Sequence, residues 1–317
     1  MGPVPARRAA RLAAAFFLIT AGIVLAAAPW IGPRLPWIHR SAPADGEGAA
    51  IVFSAADPPG DDRGAGGLTY PTHRAFEPYE GLFDLQRFQV SVQERLVHID
   101  FTFGHVTNPF AAPEGFYHQR VDVYIVTDAR EGSTEPFQPG PKVQFHPDFP
   151  WSVRLRIAPF GGTRLHTYRD PRDSPGRSRG IAVRALPDGK TIRVTVPVEL
   201  LGLPRPHWRW YVLVGGYDHF GEDEWRDVVE GDDPWAFGGA ADGLMTPRVM
   251  DLLAPARGWW SQSRQLGRVP PEHVYPVVRP VPVPQPWAFP LAALAAAAAF
   301  AAGWRLAQTQ GFRRGER

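Results

Sequence analysis

The stretch RLVHIDFTF, residues 95–103, alternates with a period of two. Leu96, His98, Asp100 and Thr102 fall on one side, and Val97, Ile99, Phe101 and Phe103 on the other. Only an extended strand sends successive side chains to opposite faces, so the pattern predicts a strand with one face in a core and one in water. Just upstream, FDLQRFQVSV (83–92) has the same character, and Gln93-Glu94 is short enough to close a hairpin. Downstream come RVDVYIVTD (120–128), WSVRLRIA (151–158), GIAVRAL (180–186) and KTIRVTVPV (190–198), the last two hinged at Pro187-Asp188-Gly189. WRWYVLVGGYD (208–218) is the most apolar and is expected at the centre of a sheet. Seven or more short strands with almost no amphipathic helix predict an all-β, two-sheet sandwich over residues 51–257.

Composition agrees. The 317 residues include 32 glycines and 35 prolines, which suits strands joined by turns and not a helical bundle. A net charge of +2 gives no electrostatic case for nucleic acid as a partner. There is no cysteine, which excludes disulfides, thiol nucleophiles and zinc–thiolate sites within these residues.

The two ends read differently. Residues 12–31, LAAAFFLITAGIVLAAAPWI, carry no charge and follow Arg7, Arg8 and Arg11, so residues 1–33 are expected to be a signal peptide or a signal-anchor helix. Residues 34–50 follow as a linker. Residues 287–304, WAFPLAALAAAAAFAAGW, are bounded by tryptophans and followed by arginines, which predicts a transmembrane helix over 287–307 and a basic cytoplasmic tail over 308–317. The prolines of HVYPVVRPVPVPQP (273–286) predict an extended, polyproline-like stalk over 258–286. These expectations place the sandwich on the extracytoplasmic side of a cell membrane.

Several segments, in order, resemble the C-terminal binding module of glucodextranase, a family related to the DOMON-type sandwiches. They are DPPGDDRGAGGLTYPT (57–72), FDLQRFQV (83–90), Asn108-Pro109-Phe110, Gly115-Phe116, Gln119, VDVYIVTD (121–128) and Trp210 to Asp218. Trp225-Arg226-Asp227-Val228, Trp235-Ala236-Phe237-Gly238-Gly239 and Val249-Met250-Asp251-Leu252-Leu253 complete the series. The resemblance implies an immunoglobulin-like or DOMON-like sandwich and a binding role rather than a catalytic one. Val126-Thr127-Asp128 departs from the family pattern by one acidic residue.

No catalytic motif interrupts that reading. There is no HExxH pair, GxSxG elbow, Walker loop or dinucleotide fingerprint, so the protein is expected not to be an enzyme. Sugar binding needs flat apolar rings with polar groups at their rim, and the loop aromatics Trp151, Tyr217, Trp225, Trp235 and Phe237 are the candidates. Asp57, Asp61 and Asp62 crowd three carboxylates into a glycine-rich loop; calcium is the cofactor such oxygens would take, against the alternative of a plain acidic turn. A second acidic run, Glu222 to Asp227, is expected to be a solvated loop. The function expected is a membrane-anchored binding module, carbohydrate-binding or cell-surface associated. The alternative is a non-catalytic accessory or structural subunit of a membrane protein complex.

Overall fold

The computed structural model describes residues 49–282. The expected signal segment, the second span and the basic tail lie outside these residues. Among the described residues no helix is long and apolar enough to cross a membrane.

The strands are β1 (Ala50–Ala56), β2 (Leu85–Gln93), β3 (Leu96–Phe103), β4 (Gln119–Val126), β5 (Gln144–Phe145), β6 (Val153–Ile157), β7 (Arg164–Thr167), β8 (Ala182–Ala185), β9 (Thr191–Pro197), β10 (Arg209–Gly216), β11 (Asp251–Leu252) and β12 (Val277–Val278). The first sheet has the order β1-β2-β3-β9-β8 and the second β11-β10-β4-β6-β7, with antiparallel neighbours throughout. The β2–β3 hairpin pairs Gln93 with Leu96 and Phe88 with Phe101, as the alternation requires, with Glu94 in the left-handed region at φ 54°. Val97, Ile99, Phe101 and Phe103 are buried between the sheets, where Phe53 and Phe88 meet Trp210 of β10 at 6.0 and 5.5 Å between ring centroids. Each such aliphatic or aromatic side chain contributes about 1.5–3 kcal/mol by leaving water.

The second sheet departs from the one-wet-face pattern. Val121, Val123 and Ile125 of β4 face the first sheet, but Arg120, Asp122 and Tyr124 on its other face are buried too. Their cover is a second apolar layer of Phe137, Val143, Phe145, Trp151, Leu266 and Val278. Residues 258–282, expected as the start of a free stalk, supply part of it. A short helix (Gln262–Leu266) and β12 lie on this face, β12 pairs in parallel with β5, and Val281 exchanges backbone hydrogen bonds with Trp210. The prolines allow this because a two-residue ladder leaves most of their missing donors outside it. Trp260 lies against Arg279, 4.1 Å from guanidinium to ring centroid.

Candidate functional site

Three loops converge at one end of the sandwich. β10 ends where β4 begins (Gly216 opposite Gln119), and β4 begins where β6 ends (Val121 opposite Ile157). The β3–β4 loop, the β6–β7 turn and the segment after β10 are therefore neighbours. Together with His73 from the connection between β1 and β2, they carry a run of aromatic rings. His73 stacks on Trp235 at 4.1 Å and 25°, Trp235 lies 6.4 Å from Phe110, and Phe110 packs on Tyr117 at 4.5 Å. Tyr117 then meets Phe160 at 6.2 Å and Tyr217 at 5.7 Å. Trp235, Phe110 and Phe160 are 41%, 44% and 49% exposed, so the run is open to a ligand.

Local chemistry holds these rings in place. Asn108 folds its loop by accepting from the Ala112 N–H (2.8 Å) and donating to the Ala112 carbonyl (2.9 Å), which leaves Phe110 at the tip. Glu114 accepts from the backbone N–H groups of Phe160 (3.0 Å) and Gly161 (2.7 Å), tying the β3–β4 loop to the β6–β7 turn. Asp233 Oδ1 accepts from the N–H groups of Trp235 and Ala236, both at 2.7 Å. Beneath them Arg226, 2% exposed, donates to the carbonyls of both Trp235 and Tyr217 and lies over the Phe76 ring at 5.0 Å. Its charge is balanced by Asp218 at 3.4 Å. His118 packs against Phe76 and Tyr117; burial, with Arg226 nearby, pushes its imidazole down to about 3, so it is neutral in the folded protein.

The five aromatic candidates divide. Trp235 is exposed and central to this face, and Tyr217 forms its floor, 3% exposed. Trp151, Trp225 and Phe237 are core residues. Trp151 donates its indole N–H to the Glu135 carbonyl at 2.8 Å and packs on Tyr124. Trp225 and Phe237 fill space left by Gly215 and Gly216, where a Cβ would overlap their rings. Sequence reasoning passed over Phe110, Tyr117, Phe160 and His73. The usable signals were Asn108-Pro109-Phe110 and Pro159-Phe160-Gly161-Gly162, turns that force a large ring to a loop tip. By contrast, the groove on the outer face of the first sheet, about 250 Å³ and lined by Arg87, Gln89, His98, Asp100 and Arg193, includes no phenylalanine, tyrosine or tryptophan.

The acidic loop is built differently from expectation. Asp57 directly follows β1, Asp61 comes next in the loop, and Asp251 comes from β11 on the other sheet. Each offers a carboxylate oxygen within 4.8 Å of the other two. Asp57 Oδ1 accepts from the Ala254 N–H (2.9 Å) and Asp251 Oδ2 from the Leu85 N–H (2.6 Å). The other oxygens, Asp57 Oδ2 and Asp251 Oδ1, are buried and meet no N–H or O–H donor, and the same holds for Asp61 Oδ1, while the Asp57 and Asp251 carboxyls lie within hydrogen-bonding reach of each other. Burial and then mutual repulsion raise all three: Asp57 and Asp251 lie well above the usual carboxylate range, and Asp61, facing Asp84, is pushed up to about 7. Asp62 is not part of this group, because its carboxylate accepts a hydrogen bond from the Tyr70 hydroxyl. Asp251 was visible in the sequence as a lone acid inside the apolar VMDLLAP (249–255), but nothing local says where it points.

The second acidic run is solvated only in part: Glu222 and Asp227 are exposed, whereas the Asp223 side chain is 5% exposed among arginines. Asp223 pairs with Arg120, Arg154 and Arg156, Glu224 with Arg156, and Glu222 and Asp227 with Arg248. Arginine neutralises it. Asp122 completes the network between Arg120 and Arg154; burial works to raise it, but the two guanidinium groups outweigh that and hold it at about 2.

Compared with known proteins, the chain matches, over residues 52–279, a family model described as the C-terminal binding module, SLH-like, of glucodextranase. No curated protein matches it.

Proposed function

We propose a function from the premise that this chain belongs to the family of C-terminal, SLH-like binding modules of glucodextranase: it binds polysaccharide through the aromatic end face, without catalysis. The observation that carries the reading is the exposed run His73–Trp235–Phe110–Tyr117–Phe160, held from below by Arg226. A pyranose has apolar C–H faces that stack on such rings and hydroxyls that need donors and acceptors at the rim. Asp233 and His73, both beside Trp235, would serve the hydroxyls. Since loops and rings are fixed by side-chain to backbone bonds before any ligand arrives, little ordering entropy opposes binding.

The uncharged runs at 12–31 and 287–304 complete the proposal, holding the module at the extracytoplasmic face of a membrane. There it would keep the cell surface in contact with a glycan. The experiment is affinity electrophoresis of the full chain through gels containing α-glucans, β-glucans and cell-wall polysaccharides in turn. Retardation by at least one supports the reading. Free migration through all of them, with chemical crosslinking in membranes recovering a stoichiometric protein partner, would favour the accessory-subunit function instead.

A further inference from the structure

We propose that Asp57, Asp61 and Asp251 hold one calcium ion that clips the two sheets together at their edges. β1 is the edge strand of the first sheet and β11 that of the second, and the three carboxylates converge between them. Two oxygens on opposite sides of a calcium ion stand about 4.6–5.2 Å apart, twice the usual bond length, so a set spanning at most 4.8 Å is of the right size.

The cluster would mean little as acids alone. What points to a cation is how their oxygens are used. Asp57 and Asp251 are 5% and 0% exposed, and each spends one oxygen on a backbone N–H while the other is buried and meets no N–H or O–H donor. The two carboxylates lie within hydrogen-bonding reach of each other, so a shared proton takes the cation's place when none is bound. An unpaired buried carboxylate oxygen costs several kcal/mol unless something positive meets it. Among the described residues no arginine or lysine forms an ion pair with any of the three. The neighbouring Asp84 adds negative charge and is itself occupied, accepting from the Gly60 N–H (2.7 Å) and Gln86 Nε2 (2.8 Å). Gln262 gathers the loop from the other side, donating to the carbonyls of Asp61 and Gly64. The site is thus anchored from four chain segments before the ion arrives.

Calcium suits it better than magnesium. Carboxylates fixed by strand and loop backbone give an irregular oxygen set, which calcium tolerates and magnesium, with its strict octahedron, does not. The half-buried Asp61 leaves a side where water can complete the coordination.

The test uses the full chain, stripped with chelator and titrated with calcium chloride alone. Calorimetry should give one site per chain, and the melting temperature should rise by roughly 5–10 °C at a hundredfold excess over Kd. Asp61→Asn should weaken binding at least tenfold while the chelated variant melts no lower than the chelated parent. Asp251→Asn, which keeps a side-chain oxygen for the Leu85 N–H, should do the same. No calcium heat and equal melting in calcium and chelator would overturn the proposal. So would unchanged affinity in both variants, or magnesium matching calcium at equal concentration.

Discussion

At the scale of single residues, the molecule keeps its charges in unusual places and each placement has a measurable consequence. Asp122 is wholly buried between Arg120 and Arg154. Asp122→Asn removes one of the two carboxylates that balance Arg120 and Arg154 and leaves Asp223 alone to serve both, so it should cost about 3–5 kcal/mol, read as a lower denaturation midpoint at pH 7. His118 gives a pH dependence. Its folded value, about 3, is below the ordinary 6.5, so the unfolded chain binds the extra proton between those values. Stability from this group is therefore complete above about pH 6.5 and falls as pH drops toward 3. His118→Gln should flatten that part of the melting-temperature profile, and an unchanged slope would contradict the neutral, buried histidine. Such roles were only partly legible. Asp57, Asp61 and Trp235 could be picked from their loops by type and spacing. Asp251 and Arg226 could not, because what makes them matter is which carboxylates and carbonyls the fold brings beside them.

At the scale of elements, period-two alternation was a sound guide wherever one face of a strand is wet. The β2–β3 hairpin follows it to the register, with Phe88 opposite Phe101. Phe101→Asp should therefore abolish cooperative unfolding, since the charge would enter the core among Phe88, Ile99 and Ile192 without a partner. Alternation failed to describe the second sheet, whose outer face is buried under a second apolar layer. In β4 and β6 the polar half of the pattern, Arg120, Asp122, Arg154, is an internal ion network rather than a solvent face. The pairs β5–β12 and β10–β11 went unseen for another reason: two residues are too few to show a period. At the aromatic face, the Glu114 clamp couples two loops. Glu114→Ala should weaken glycan binding several-fold through loss of preorganisation while changing the melting temperature little, because the clamp is exposed.

At the scale of the whole molecule, the layers imply where the folding unit ends. A boundary at 257, the expectation from sequence, would strip Leu266 and Val278 from the second layer and uncover Tyr124, Tyr211 and Leu252. A fragment of residues 49–257 should thus aggregate or melt well below one of residues 49–282, and equal melting would show that the C-terminal segment is dispensable. The same architecture brings an aromatic face and an acidic cluster to one end of the sandwich, with His73, Asp57 and Asp61 all on the connection between β1 and β2. The proposed glycan binding belongs to the aromatic face. Titration of the retained polysaccharide into the full chain and into Trp235→Ala, with melting temperatures recorded beside it, tests it most directly. Loss of one stacked ring at the centre of the run should weaken binding about tenfold, about 1.4 kcal/mol, without lowering the melting temperature. Undiminished affinity in Trp235→Ala would place the binding surface elsewhere and contradict the account.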